Sequence, residues 1–457
     1  MQNTSTNSLK LYTSFLLFIL LGSLCLSAQD RPAKIWVGTW GTAPQLVEPG
    51  NNPPSPGLTN NSLRQIVRVS IPGDTIRVKF SNIFSETSVT LNAVKIAVSA
   101  GGSAVYDSTS KLLTFGGVPE VTMGPGTDVL SDPLAFNLEP RMTLAVTIYF
   151  GQTSATITGH PGSRTTSYLK AGNDTSVANF AGAVTTDHWY IITNIDVLAT
   201  HEYSCISVIG NSTTDGRGSV TNLQNRWTDV LSERLLENPG TEKVGVLNMG
   251  LGGNCVLKAC LGPAAKERYK RDVLEQPGIQ AAIVFEGVND IGGINTPELA
   301  TETANRLIEA YKAMIDSAHA RNIFIYGATI TPFKGNGYYT LFSEACRNKV
   351  NEWIRNSGRF DAVLDFDMAV RKPSDTASLI SSYQNDGLHP DTAGYRLIVN
   401  SIDLSLFEGL NTRNPEIDTS VHVNLWIEPE SQAVGKNRNQ LCCKISSRYR
   451  KYYHYPY

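Results

Sequence analysis

Ser212, the loop Asn248-Met-Gly-Leu-Gly-Gly-Asn254, Asn289 and the pair Asp386 and His389 are the residues of this sequence whose types and spacing suit chemistry. Ser212 lies in Gly210-Asn-Ser-Thr-Thr-Asp-Gly216, directly after the apolar run Ile206–Ile209. That places its hydroxyl at a strand-to-loop corner, where Gly210 permits a tight turn and small neighbours leave space for an acyl carbon. The glycines after Asn248 let backbone N–H groups approach an anionic oxygen closely. Gly287-Val-Asn-Asp290 adds a side-chain amide donor after another strand. In Asp386-Gly-Leu-His389-Pro390 the carboxylate can reach the imidazole, hold one tautomer and stabilise the imidazolium that follows proton uptake. Each block alone is an ordinary turn composition. In this order, on consecutive strand ends, they supply the nucleophile, oxyanion donors and acid–base pair that a reacting carbonyl needs. The GxSxG elbow does not occur, which argues against an ordinary α/β-hydrolase.

Two patterns of periodicity must position these blocks. From about Ile35 to Leu198, apolar and polar residues alternate between Gly, Pro and Asn turns, as in Ile66–Ile71, Thr75–Phe80 and Met142–Tyr149. Period two with frequent turns predicts antiparallel strands, half buried, in an all-β sandwich spanning 33–200. From 201 to 411 short apolar runs alternate with amphipathic stretches. The runs are Ile206–Ile209, Val244–Leu247, Ala281–Phe285, Ile323–Tyr326 and Ala362–Asp365. The stretches are Arg226–Leu236, Pro297–Ala320, Thr340–Ser357 and a helix from about Thr392. Such alternation builds an α/β domain with a parallel sheet covered on both faces, whose ligand site lies beyond the carboxyl ends of the strands.

Composition narrows the rest. Hydrophobic residues at 41% and charged residues at 18% describe a globular chain, and a formal charge of −2 leaves no footprint for nucleic acid. Residues 1–28 read as a signal peptide: Lys10, the apolar run Phe15–Leu26 and the small pair Ser27-Ala28. The run is well short of the roughly 20 residues needed to span a bilayer, so stable membrane insertion is not expected. The protein is therefore expected to be exported, to the periplasm or outside the cell. Export permits disulfides among Cys205, Cys255, Cys260, Cys346, Cys442 and Cys443. Cys255 and Cys260 can close a small loop, and Cys346 is an alternative partner for either. No Cys/His cluster has zinc spacing, so neither a metal nor another cofactor is expected. Residues 412–457 fit neither pattern. The last 27 carry six basic residues, no acidic ones and the run Tyr452–Tyr457, and the stretch reads as a poorly ordered tail.

The four blocks resemble the GDSL, or SGNH, hydrolases. The longer phrases Gly210-Asn-Ser-Thr-Thr-Asp-Gly-Arg-Gly-Ser219, Asn225-Arg-Trp227 and Glu286-Gly-Val-Asn-Asp-Ile-Gly292 are similar to its branch of secreted, xylan-associated esterases. Upstream, Trp36-Val-Gly-Thr-Trp-Gly-Thr-Ala-Pro44 and Arg77-Val-Lys-Phe-Ser-Asn82 resemble the β-domain that precedes the hydrolase there. The resemblance covers about Ile35 to Leu410. It implies a flavodoxin-like three-layer hydrolase domain, with Ser212 as nucleophile, His389 as general base and Asp386 orienting it. The backbone N–H groups of Ser212 and Gly253 and the Asn289 amide would form the oxyanion hole. One position departs from the family: Asn211 stands where Asp is usual, keeping the size and an acceptor oxygen but losing the charge and gaining donors. The implied activity is hydrolysis of a short acyl ester, acetyl above all, on a plant polysaccharide such as xylan. Two rival readings are a general arylesterase or lipase, and a glycan-binding protein with a degenerate hydrolase domain. In the latter, Trp40 and Trp189 would stack on sugars, although a buried role is commoner for Trp in a sandwich.

Overall fold

Residues 34–411 are described by a computed structural model of the chain. The signal peptide expected at 1–28 and the tail expected at 412–457, with Cys442 and Cys443, lie outside the described residues.

The period-two segments form antiparallel sheets. One runs in the order Lys34–Gly41, Ile192–Thr200, Gly73–Ser81, Leu134–Leu138, with Asp128–Leu130 also pairing onto Gly73–Ser81. A larger one runs Val184–Thr186, Ser167–Ala171, Asn61–Arg68, Thr143–Phe150, Val89–Gly101, with short strands added at its last member. Alternation explains the side chains: Ile76, Val78 and Phe80 are buried, while the intervening Arg77 and Lys79 pair with Asp196 and Asp128. Leu144, Val146 and Ile148 of the larger sheet enter the same buried cluster as Ile76, Val78 and Phe80. The strand expected over 66–71 ends at Arg68, because Ser70 and Ile71 bond to Thr39 instead of to the sheet.

The second half holds a five-stranded parallel sheet in the order Val244–Gly250, Ser204–Gly210, Ile279–Phe285, Phe324–Ala328, Ala362–Leu364. This 2-1-3-4-5 order is the flavodoxin-like one. Its strands read as unbroken apolar runs because both faces are covered. Ile206, Val208, Ala281 and Ile283 pack with the helices Trp227–Glu237 and Thr392–Asn400. Ile209, Leu247, Ala282 and Val284 enter the other cluster with the helices Pro297–His319 and Leu341–Asn356. Helix starts follow the local chemistry: Thr296, Thr340 and Asp391 each accept a backbone N–H of the first turn, which an apolar residue there could not do.

The two regions meet along Lys34–Gly41, which lies against the edge strand Val244–Gly250. A Cβ on Gly38 would stand 2.8 Å from Leu247 Cδ1, and one on Gly41 2.6 Å from Met249 Cε. The glycines of the Trp36–Pro44 run thus let a strand of the first region lie almost in van der Waals contact with the second. Thr42 continues the contact as a parallel bridge to Asn248.

Candidate active site

Ser212 opens a one-turn helix, Ser212–Asp215, at the carboxyl end of the interior strand Ser204–Gly210. Asn211 caps that turn, its Oδ1 accepting from Thr213 N at 3.1 Å. Across a separation of 177 residues the Ser212 Oγ lies 2.8 Å from His389 Nε2. His389 Nδ1 lies 2.8 Å from Asp386 Oδ2, and the other carboxylate oxygen accepts the backbone N–H groups of His389 and Leu388. Because the carboxylate only accepts, Nδ1 carries the imidazole hydrogen and Nε2 presents its lone pair to the serine hydroxyl.

The electrostatics agree with that tautomer. Burial pulls the His389 imidazole below its ordinary value against the pull of Asp386, and the charges of Arg217 and Arg164 add to the lowering. Burial by itself raises the Asp386 carboxyl, but its bonds from the His389 backbone and imidazole outweigh that and hold it below the usual range. At neutral pH the site therefore contains a neutral base beside a serine and an ionised carboxylate.

The two further blocks come together beside this chain. Gly253 lies in the turn after Val244–Gly250 with a left-handed φ of 69°, a conformation that glycine adopts without strain. The adjacent Asn254 carbonyl accepts from Asn289 Nδ2 at 2.7 Å, which joins the glycine loop to the short helix Val288–Ile291. Tyr338 Oη donates to Asn289 Oδ1 at 3.0 Å. With its oxygen held by Tyr338 and one hydrogen by Asn254, the amide has its second N–H left for a ligand oxygen. A disulfide between Cys255 and Cys260 closes the loop that follows, and among the described residues Cys205 and Cys346 are buried cysteines outside any disulfide.

Residues 208–397, which include Ser212, Gly253, Asn289, Asp386 and His389, match the family model of GDSL-like lipases and acylhydrolases. The chain is a carboxylic ester hydrolase. Among curated proteins none matches it significantly. Solved structures similar to the esterase include one assigned to the lipolytic G-D-S-L family from Desulfitobacterium hafniense, at 21% identity and a TM-score of 0.33, covering 43% of this chain and 97% of that one. A GDSL-like lipase from Bacteroides thetaiotaomicron is 16% identical with a TM-score of 0.32, covering 44% and 87%. A catalytic mutant of an acetylxylan esterase from Geobacillus stearothermophilus is 15% identical with a TM-score of 0.33, covering 43% and 91%.

Asn211, directly before Ser212, has a physical reason to be an asparagine. Its Nδ2 donates to Glu286 Oε2 at 3.2 Å. Glu286 is fully enclosed, and burial pushes its carboxyl up to about 8 against the pull of Arg268. An aspartate at 211 would set a second carboxyl against this buried one, whereas the asparagine amide caps the helix with its oxygen and bonds Glu286 with its nitrogen. Arg268, buried beneath the site, donates to the Gly210 carbonyl at 3.0 Å, the Met249 carbonyl at 2.7 Å and Asn254 Oδ1 at 2.9 Å. It thereby ties together the strand ends and loop that present Ser212 and Gly253, and its charge is paired with Asp272 at 3.0 Å.

Sequence reasoning missed Arg268, Tyr338 and the part played by Glu286. Only Glu286 carried a signal, since it directly precedes Gly287-Val-Asn289. Trp40 and Trp189 are 7% and 4% exposed and pack edge to face at 5.1 Å, so they are core residues and the sugar-stacking role is set aside. Among the described residues no group of three His, Cys, Asp or Glu side chains is placed to hold a metal ion, and no helix is long and apolar enough to cross a membrane.

Proposed function

We propose that Ser212 is the nucleophile of a two-step acyl transfer, with His389 as general base and acid and Asp386 as its orienting carboxylate. The observation that carries this reading is the unbroken chain Asp386–His389–Ser212, with 2.8 Å at both links. His389 Nε2 takes the hydroxyl proton as Ser212 Oγ bonds to the ester carbonyl carbon. The carbonyl oxygen, now anionic, is held by the N–H groups of Ser212 and Gly253 and the Asn289 amide; one such donor is worth about 3 kcal/mol to the transition state. His389 returns the proton to the departing alcohol oxygen, leaving an acyl-serine. Water then loses a proton to His389, adds to the acyl carbon and frees Ser212.

The resemblance of the long sequence phrases to the xylan-associated branch supports a short acyl group, acetyl above all, carried by a plant polysaccharide such as xylan. The two antiparallel sheets, whose alternate residues share one buried cluster, support reading 33–200 as a β-sandwich domain ahead of the catalytic domain at 201–411. Lys10, the run Phe15–Leu26 and Ser27-Ala28 support export to the periplasm or beyond, after removal of residues 1–28.

Acetate release from acetylated xylan tests the reading. The wild-type protein is expected to release acetate, and Ser212→Ala to lose the activity by roughly 10⁴-fold or more. Turnover confined to longer p-nitrophenyl esters would replace the polysaccharide reading with that of a general arylesterase or lipase. Glycan binding with no turnover of any ester would overturn it.

A further inference from the structure

We propose that His160, a residue of the β-rich region, is a positioning residue for Ser212: through a buried hydrogen bond to the Asp215 side chain it fixes the one-turn helix that carries the serine. The inference rests on the reading of Ser212 as nucleophile.

A single helical turn is too short to stand by itself, because nucleation costs more than one turn of hydrogen bonds returns. Neighbours on two sides hold Ser212–Asp215. On one side are the strand ends of the catalytic half. A Cβ on Gly210 would overlap Thr214 Oγ1, and one on Gly250 would overlap the Asp215 backbone nitrogen, so the turn rests directly on main chain. On the other side is the β-rich region. His160, which ends the strand Thr158–His160, places Nε2 2.9 Å from Asp215 Oδ1 and Nδ1 2.9 Å from the Ala43 carbonyl. His160 is 4% exposed and Asp215 2%. The next turn of chain follows so closely that a Cβ on Gly162 would overlap the Asp215 carboxylate. The imidazole also stacks on Trp189, with ring centroids 5.7 Å apart.

The two ring nitrogens of His160 thus join the Ala43 carbonyl of the β-rich region to the Asp215 side chain of the turn. Arg226, whose guanidinium lies 5.7 Å from the centre of the Trp189 ring, donates to the Asp215 carbonyl at 3.2 Å and to the Ser163 carbonyl, and pairs with Asp229 at 3.0 Å.

The pair acts on Ser212 through the backbone. Asp215 N donates to the Asn211 carbonyl at 2.8 Å, and the Ser212 carbonyl accepts from Gly216 and Arg217 at 2.9 and 2.8 Å. A shift of Asp215 therefore turns the helix and moves Ser212 Oγ away from His389 Nε2. Misplacement of a reacting group by 1 Å costs on the order of 100-fold in rate.

The test is kinetics on p-nitrophenyl acetate with the intact protein, the folding of each variant being checked by circular dichroism. His160→Phe is expected to lower kcat by roughly 10- to 100-fold with KM within about twofold. His160→Gln, whose amide nitrogen carries two N–H groups, is expected to recover most of that loss. A folded His160→Phe with wild-type kcat, or a loss that His160→Gln does not recover, overturns the proposal. Should His160→Phe fail to fold, a folded His160→Gln with kcat tenfold or more below wild type still overturns it. The underlying reading fails separately: Ser212→Ala would then remain active, whereas a dead Ser212→Ala beside an unimpaired His160→Phe sinks the positioning role alone.

Discussion

The two regions of this esterase contribute in different ways. The α/β region supplies every group assigned to the reaction, and each follows directly after a strand of one parallel sheet or lies in a loop beyond its carboxyl edge. The β-rich region supplies none. It contributes contacts made across long stretches of chain: Gly38 and Gly41 against the edge strand, His160 against Asp215, and Arg141 to the Asp229 carbonyl and the Glu233 carboxylate at 2.9 and 2.6 Å. Reactivity is thus local to one sheet edge, while its alignment is shared between both regions. Substitutions should follow that division, with catalytic losses in the first region and losses of alignment or stability at the seam.

The largest effect is expected at Asp386. Asp386→Asn would leave the loop in place but remove the acceptor that fixes the Nδ1–H tautomer, and kcat should fall roughly 10³- to 10⁴-fold with little change in KM. A loss under tenfold would assign the orienting role elsewhere. Asn289→Ala removes one oxyanion donor and should lower kcat by about 10²- to 10³-fold, measured under saturating ester. An effect on KM alone would make Asn289 a binding residue.

Asn211→Asp probes the junction between nucleophile and core. It places a second carboxyl 3.2 Å from Glu286, so that one of the two must keep its proton in the folded state. A carboxyl raised by folding binds a proton that the unfolded chain has already lost, so stability is full below the unfolded value, near 4.5, and declines as pH rises toward the folded one. Thermal unfolding of the variant should match wild type near pH 5 and fall below it at pH 8. Equal Tm values at both pH values would separate residue 211 from Glu286. The smallest catalytic effect is expected at the seam: Gly38→Val should destabilise by about 1–3 kcal/mol in urea titration through its clash with Leu247, with kcat within about twofold. A large fall in kcat there would make the seam part of the active site itself.

Legibility in the sequence followed the same division. Ser212, Asn289, Asp386 and His389 could be singled out as candidates because each follows an apolar run or a turn signal that local periodicity reveals. The helices could be bounded because Thr296, Thr340 and Asp391 are local caps. Strand ends were less legible: Ser70 and Ile71 continue the apolar alternation but bond to Thr39, 31 and 32 residues away. The brace beneath the site was not legible for the same reason. Arg268 reaches the Gly210 carbonyl over 58 residues, Tyr338 reaches Asn289 over 49 and His160 reaches Asp215 over 55. None of these contacts leaves a spacing pattern, because each depends on how separate strands are brought together.

The central claim, that Ser212 is the nucleophile activated by His389, is tested most directly by labelling the intact protein with an organophosphate p-nitrophenyl ester and locating the adduct by mass spectrometry. The account predicts one adduct per chain, on Ser212. Its rate should rise with pH as His389 loses its proton, with a midpoint below the ordinary imidazole value of 6.5. Complete loss of esterase activity with the label on another residue, or with Ser212 unmodified, would contradict it.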